Sequence, residues 1–204
     1  MKAAYITQPG PPESLVYGDL PMPRPGPRQC LVKVGAVSVN PVDTYIRSGA
    51  VPMPLPSPFI VGCDLAGTVV QIGEEVTDFR PGDRVWGSNQ GLLGRQGTFS
   101  EFVVVDETWL YATPKNVSDE AAAAAALVGI TAHLGLVRDA QLQKGETVFV
   151  NGGSGAVGAM VIQMAKALGA RVGAASSSDE KVEFCLKLGA DFAVNYSKVD
   201  PQFA

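Results

Sequence analysis

Three glycines, at 153, 155 and 158, close an apolar run that reads Val148-Phe149-Val150-Asn151-Gly152. Their spacing is G-x-G-x-x-G, and a helix-forming stretch follows at once. Residues of these types in this order are suited to holding a pyrophosphate. The first glycine permits a tight turn, the second lets the backbone approach the phosphates, and the third lets helix pack on strand. The helix N-terminus adds N–H groups and a partial positive charge. A plain strand-turn-helix fits the same letters, but the flanking strand and helix favour a dinucleotide.

The next strand decides which dinucleotide. A chain that holds NAD usually places Asp or Glu about 20 residues past the first glycine, to bind the ribose 2′-OH. Here the second strand ends in Ser176, Ser177 and Ser178, and no carboxylate comes before Asp179. Serine hydroxyls tolerate a 2′-phosphate, and Lys181 in the next helical turn can neutralise it. The expected cofactor is NADPH. Two features pull the other way: the serines can simply cap the helix starting near Asp179, and an inward Asp179 would repel a phosphate.

The elements that must position these residues fall into two halves. From Ser118, an N-cap residue followed by Asp119 and Glu120, a helix is expected to about Val137, interrupted near Gly129. Strands at 147–150, 170–175 and 192–195 alternate with helices at 156–168 and 179–188, which Gly169 and Gly189 end. This is β-α-β-α-β, one half of a doubly wound parallel sheet. Before Pro114 the chain reads as short strands at 3–7, 30–39, 66–72, 84–86, 99–105 and 109–112, separated by Pro- and Gly-rich turns. Such punctuation points to an antiparallel barrel, and the prolines argue against long helices there.

Bulk properties exclude other classes. A net charge of −4 with no block of like charges argues against nucleic acid or an anionic membrane as partner. The N-terminus lacks the apolar core of a signal peptide, and no segment reads as a membrane span. Three isolated cysteines (Cys30, Cys63, Cys185) form no pair and suit a reducing cytoplasm.

With these residues in view, the chain strongly resembles the quinone oxidoreductase (zeta-crystallin-like) branch of the zinc-independent medium-chain dehydrogenase/reductases. The resemblance rests on residues 40–49 (NPVDTYIRSG), 62–67 (GCDLAG), 81–85 (PGDRV) and 151–158, and covers essentially the whole chain. It implies an α/β protein: a GroES-like antiparallel β-barrel domain over 1–120, then a partial Rossmann domain over 121–204. It implies that Ser154, Gly155, Ala156 and Val157 lie along the pyrophosphate, and that Ser177, Lys181 and Tyr196 surround the adenosine phosphate. Thr131 would sit near the nicotinamide, with Asn40 and Tyr45 lining the substrate cleft. Ala156 departs from the branch, which usually has glycine there.

Zinc alcohol dehydrogenases, by the same resemblance, place Cys where this chain has Asn40 and His where it has Cys63. The sole histidine, His133, lies outside both motifs, and a catalytic zinc needs three protein ligands. No metal is expected. Each candidate also has a structural reading: Tyr45 as a half-buried aromatic, Asn40 as a turn former before proline, Cys63 as a small buried residue, Asp64 as an acceptor for backbone N–H groups, His133 as a core or helix-face residue.

The activity implied is hydride transfer from NADPH to a quinone or α,β-unsaturated carbonyl. A 2-alkenal or enoyl-thioester reductase with Tyr45 as proton donor is the near alternative, and a non-catalytic NADPH-binding protein the distant one. By the same analogy a full-length form would carry roughly a further hundred residues and form a homo-oligomer. The 204 residues alone are expected to expose Val148-Phe149-Val150 as an unpaired edge.

Overall fold

The computed structural model describes residues 1–198. The chain divides into one unit over Met1–Leu127 and a second beginning at Val128. In the first unit the strands are β1 (Lys2–Ile6), β2 (Val16–Asp19), β3 (Gln29–Ala36), β4 (Phe59–Ile60), β5 (Leu65–Ile72), β6 (Arg84–Gly87), β7 (Phe102–Asp106) and β8 (Leu110–Ala112), with helix α1 (Pro41–Ser48) between β3 and β4. Helix α2 (Asp119–His133) follows β8, and the second unit continues with β9 (Thr147–Asn151), α3 (Ala156–Ala167), β10 (Arg171–Ser176), α4 (Asp179–Lys187) and β11 (Phe192–Asn195).

The strands of the first unit form two antiparallel sheets, ordered β2-β1-β4 and β7-β3-β5-β6-β8. The larger sheet buries Cys30, Val32, Leu65, Val69, Val85, Val103 and Val105. These positions alternate along β3, β5 and β7, as strand side chains on one face must. The smaller sheet packs Ile6 and Phe59 against Ile46 of α1.

Several expected boundaries move for identifiable reasons. β7 begins at Phe102 rather than 99, because residues 99–101 bond to β1 instead: Ala4 N–H donates to the Phe99 carbonyl and Glu101 N–H to that of Lys2. β3 stops at Ala36 rather than 39, and β2 and β4, both short, were not expected from the pattern. Helix α1 occupies a proline-rich region because Pro41 stands at its first position, where no N–H is needed. Gly49, at φ +81°, ends it in the left-handed region.

Gly129 does not interrupt α2, which passes through it and continues as a π turn over Leu134–Asp139. A Cβ at 129 would meet only the tips of Met160 and Met164 at ordinary contact distance, so the helix accepts glycine there. The continuous Asp119–Asp139 segment is, by length and composition, long and apolar enough to cross a membrane, which corrects the expectation that no segment is. Its buried Ala122, Ala126 and Ala132 and its charged ends are those of a core helix.

In the second unit β9, β10 and β11 form a parallel sheet in the order β11-β10-β9. Val150, Val172 and Ala174 face Ile162 and Ala165 of α3 and Cys185 of α4. Both helices end where glycine adopts positive φ, at Gly169 (+83°) and Gly189 (+107°). The alternate residues Phe149 and Phe192 lie on the sheet's other face and stay exposed.

Candidate functional site

Three adjacent parallel strands end side by side, and each delivers candidate binding residues at its C-terminal end. In an open α/β sheet this is where ligands bind. β9 leads into the glycine turn, β10 into the serines, and β11 into Tyr196.

The division of labour among the glycines differs from the expected one. The left-handed residue of the turn is Gly152 (φ +69°), outside the G-x-G-x-x-G pattern. Gly153 is instead needed for packing: a Cβ there would lie 2.9 Å from Ala174 Cβ and 3.1 Å from Cys185 Sγ. Gly158 lets α3 close on the turn, since a Cβ would stand 2.4 Å from the Gly152 carbonyl oxygen. At Gly155 a Cβ would meet one atom within 4 Å, the Gly152 carbonyl oxygen at 3.3 Å, so this position is less crowded than the other two.

The donors follow from the same geometry. Gly153 N–H bonds to the Ala175 carbonyl (3.0 Å), Ser154 N–H to Ser176 Oγ (3.3 Å) and Gly155 N–H to the Gly152 carbonyl (2.9 Å). The first intrahelical bond of α3 runs from Ala159 N–H to the Gly155 carbonyl (2.8 Å). Gly155 caps α3 without a side chain, and the first turn holds no acidic residue. The first-turn N–H groups at Ala156 and Val157 therefore face outward at the positive end of the helix dipole.

The serines separate into three roles. Ser176 is buried, with its hydroxyl turned to Ser154 and to Cys185 Sγ at 3.4 Å. Ser177 Oγ accepts from Lys181 Nζ (3.1 Å), which places hydroxyl and cation together just past β10. Ser178 caps α4, accepting from Lys181 N–H (3.3 Å). Asp179, the carboxylate that could repel a phosphate, is bound by Asn195 Nδ2 and Lys198 Nζ, and these bonds hold its pKa below the usual carboxylate value. Tyr196 is exposed in the turn after β11, and Thr131 lies on the exposed side of α2.

The other sequence candidates belong to the first unit. Asn40 precedes α1 and is 4% exposed. Its backbone N–H donates to Asp43 Oδ2 (2.7 Å), while its Nδ2 donates to Asp64 Oδ2 (2.8 Å) and Ser38 Oγ (3.4 Å). Asn40 thus ties the start of α1 to the start of β5, and both its amide hydrogens are used. Tyr45, one turn further along α1, is 51% exposed.

Beneath them lie two buried carboxylates, Asp43 and Asp64, with the Cys63 thiol beside Asp43. Burial raises the Asp43 pKa above its ordinary value despite the bond from Asn40 N–H. Burial, with the Asp43 carboxylate next to it, raises that of Cys63 and keeps it a thiol. Sequence reasoning missed Gly152, Ser38, Asp43 and Cys185. The first two carry no pattern of their own, and the last two act through contacts from other elements.

The chain matches two family profiles: the alcohol dehydrogenase GroES-like domain over residues 26–115 and the zinc-binding dehydrogenase profile over 156–203. The latter's name implies zinc, which these residues do not fit. The Asn40 amide is bound to Asp64, and the described residues contain no group of three His, Cys, Asp or Glu that could hold a metal.

Among curated proteins, a quinone oxidoreductase of Sus scrofa is 34% identical over 201 residues, covering 98% of this chain and 60% of that protein. An NADPH-dependent alkenal/one oxidoreductase of Arabidopsis thaliana is 41% identical over 178 residues, covering 83% of this chain and 45% of that protein. The solved Escherichia coli quinone oxidoreductase, complexed with NADPH, superposes with a TM-score of 0.87 at 30% identity, covering 98% of this chain and 60% of that one. The chain spans about 60% of the length of the quinone oxidoreductases it matches. The chain belongs to the medium-chain dehydrogenase/reductase superfamily, and within it is similar to the quinone oxidoreductases.

Proposed function

We propose that this protein is an NADPH-dependent reductase that transfers a hydride to quinones or similar electron-poor acceptors without zinc. The observation that carries the reading is the end of β10: no carboxylate at the ribose position, and Lys181 Nζ on Ser177 Oγ beside the glycine turn. The residues fit the dinucleotide. Ala156 and Val157 N–H and the α3 dipole would hold the pyrophosphate, and Ser177, Lys181 and Tyr196 the adenosine phosphate. Bound NADPH supplies the hydride.

Residues 1–120 would form the substrate domain and 121–204 part of the cofactor domain, with Thr131 on the nicotinamide side. In the substrate domain the exposed Tyr45 hydroxyl is the candidate donor to developing oxyanion charge. Asn40, its amide committed to Asp64 and Ser38, would hold the start of α1 and so set where Tyr45 stands. A quinone needs little such assistance, because its reduction is already favourable. The full-length form would be a cytoplasmic homo-oligomer with no nucleic-acid or membrane partner. The three cysteines of this chain are buried and free, which accords with a reducing compartment.

An NADPH-dependent reductase of 2-alkenals or enoyl thioesters is the second reading, favoured by the 41% identity to the Arabidopsis thaliana alkenal/one oxidoreductase. The test is loss of reduced-nicotinamide absorbance with 1,4-benzoquinone, 9,10-phenanthrenequinone or a 2-alkenal. Turnover of the quinones supports the first reading and turnover of the alkenal alone the second. NADPH binding with no oxidation by any acceptor would leave a non-catalytic NADPH-binding protein and overturn both.

A further inference from the structure

We propose that Ser176 is a positioning residue for the phosphate-binding turn and that it does not read the ribose. The inference rests on the dinucleotide reading above and adds how the turn is held and where cofactor selectivity resides. The β9–β10 ladder pairs Asn151 with Ala175 at its end. The turn continues that ladder past the end of β9 with two further bonds. The first is Gly153 N–H to the Ala175 carbonyl (3.0 Å), and the second is Ser154 N–H to Ser176 Oγ (3.3 Å). A side-chain hydroxyl here takes the place a backbone carbonyl holds in the first.

Its neighbours set its orientation. Ser176 is 1% exposed and its hydroxyl shares a hydrogen bond with the Cys185 thiol (3.4 Å), itself fully buried. Cys185 also lies under Gly153, where an added Cβ would come within 3.1 Å of its sulfur. Turn, strand end and α4 are thus joined through one hydroxyl. With Ser154 and Gly155 N–H both bonded inside the turn, the donors left for phosphate are the first-turn N–H groups of α3, from Ala156 to Gly158. Ser176 fixes where those donors point while lying beneath the surface that a ribose would touch. Ser177, one residue later and just past the end of β10, carries the contact with Lys181.

The experiment compares wild type, Ser176→Ala and Ser176→Thr in the intact protein. Amide hydrogen exchange at Ser154 is read without ligand, and NADPH and NADH affinities are read by fluorescence titration. Ser176→Ala should speed Ser154 exchange and weaken both nucleotides by the same factor, about tenfold. Ser176→Thr keeps the hydroxyl and should stay near wild type in all three readings. Loss of NADPH affinity alone would mean a direct contact with the 2′-phosphate and would overturn the proposal. Unchanged Ser154 exchange in Ser176→Ala would overturn it as well. If wild type binds neither nucleotide the dinucleotide reading fails, and the exchange comparison still decides whether Ser176 holds the turn.

Discussion

At the scale of single residues, charge and burial divide the work. Lys181 is exposed and its Nζ rests on a hydroxyl, Ser177 Oγ. A cation seated on a hydroxyl in this way is suited to a dianionic phosphate. Lys181→Ala should weaken NADPH about tenfold and leave NADH within about twofold, read by fluorescence titration. Asp43 presents the opposite case. Its folded pKa lies above the unfolded value because burial penalises its charge. Between those two values the folded state binds more protons, so stability falls as pH rises through the window. Asp43→Asn keeps an acceptor for Asn40 N–H without the charge. Thermal melts from pH 4 to 7 should therefore lose that downward slope. A variant that keeps the wild-type pH profile would show that the slope arises elsewhere.

At the scale of elements, the glycine turn was legible and its internal roles were not. The strand, the three glycines and the helix follow from apolar runs and spacing, so α3 starts at Ala156 as the pattern requires. Which glycine adopts positive φ depends on what packs around the turn. Gly153 is taken up by Ala174 and Cys185, so the left-handed residue is Gly152. Gly158→Ala forces a Cβ to within 2.4 Å of the Gly152 carbonyl oxygen and should lower both the melting temperature and nucleotide affinity. The cost to stability should be about 1–3 kcal/mol, as for other overpacked sites. At Gly155 the nearest atom would be 3.3 Å away. Gly155→Ala, whose methyl would meet only the Gly152 carbonyl oxygen and the phosphate, should lower the melting temperature less than Gly158→Ala while weakening binding. Calorimetry and titration on the two variants separate these outcomes.

At the scale of the whole molecule, each unit has its own core, and the parallel sheet of the second is covered by α3 and α4 on one face. On the other face Phe149 is 58% exposed and Phe192 39% exposed. β9 pairs with β10 alone among the described residues. A parallel strand with a free edge and bare aromatic side chains invites self-association. Light scattering of the 204-residue chain should show mass rising with concentration, and Phe149→Lys should reduce that rise. A monodisperse wild-type chain would count against the edge as the cause.

Spacing and composition were sufficient for the β-α-β-α-β order, the ends of α3 and α4, the cap at Ser118 and the lack of a carboxylate after β10. Each of these is set by a residue's own backbone preference or by neighbours within one turn or strand. Tertiary structure alone decided that α2 runs through Gly129, that residues 99–101 join β1, that Asn40 spends its amide on Asp64, and that Ser176 faces inward to Ser154. Those outcomes depend on partners as far as 22 to 99 positions away in the chain. A buried polar group must bond to whichever partner folding brings within reach, and no local pattern of residues encodes that meeting.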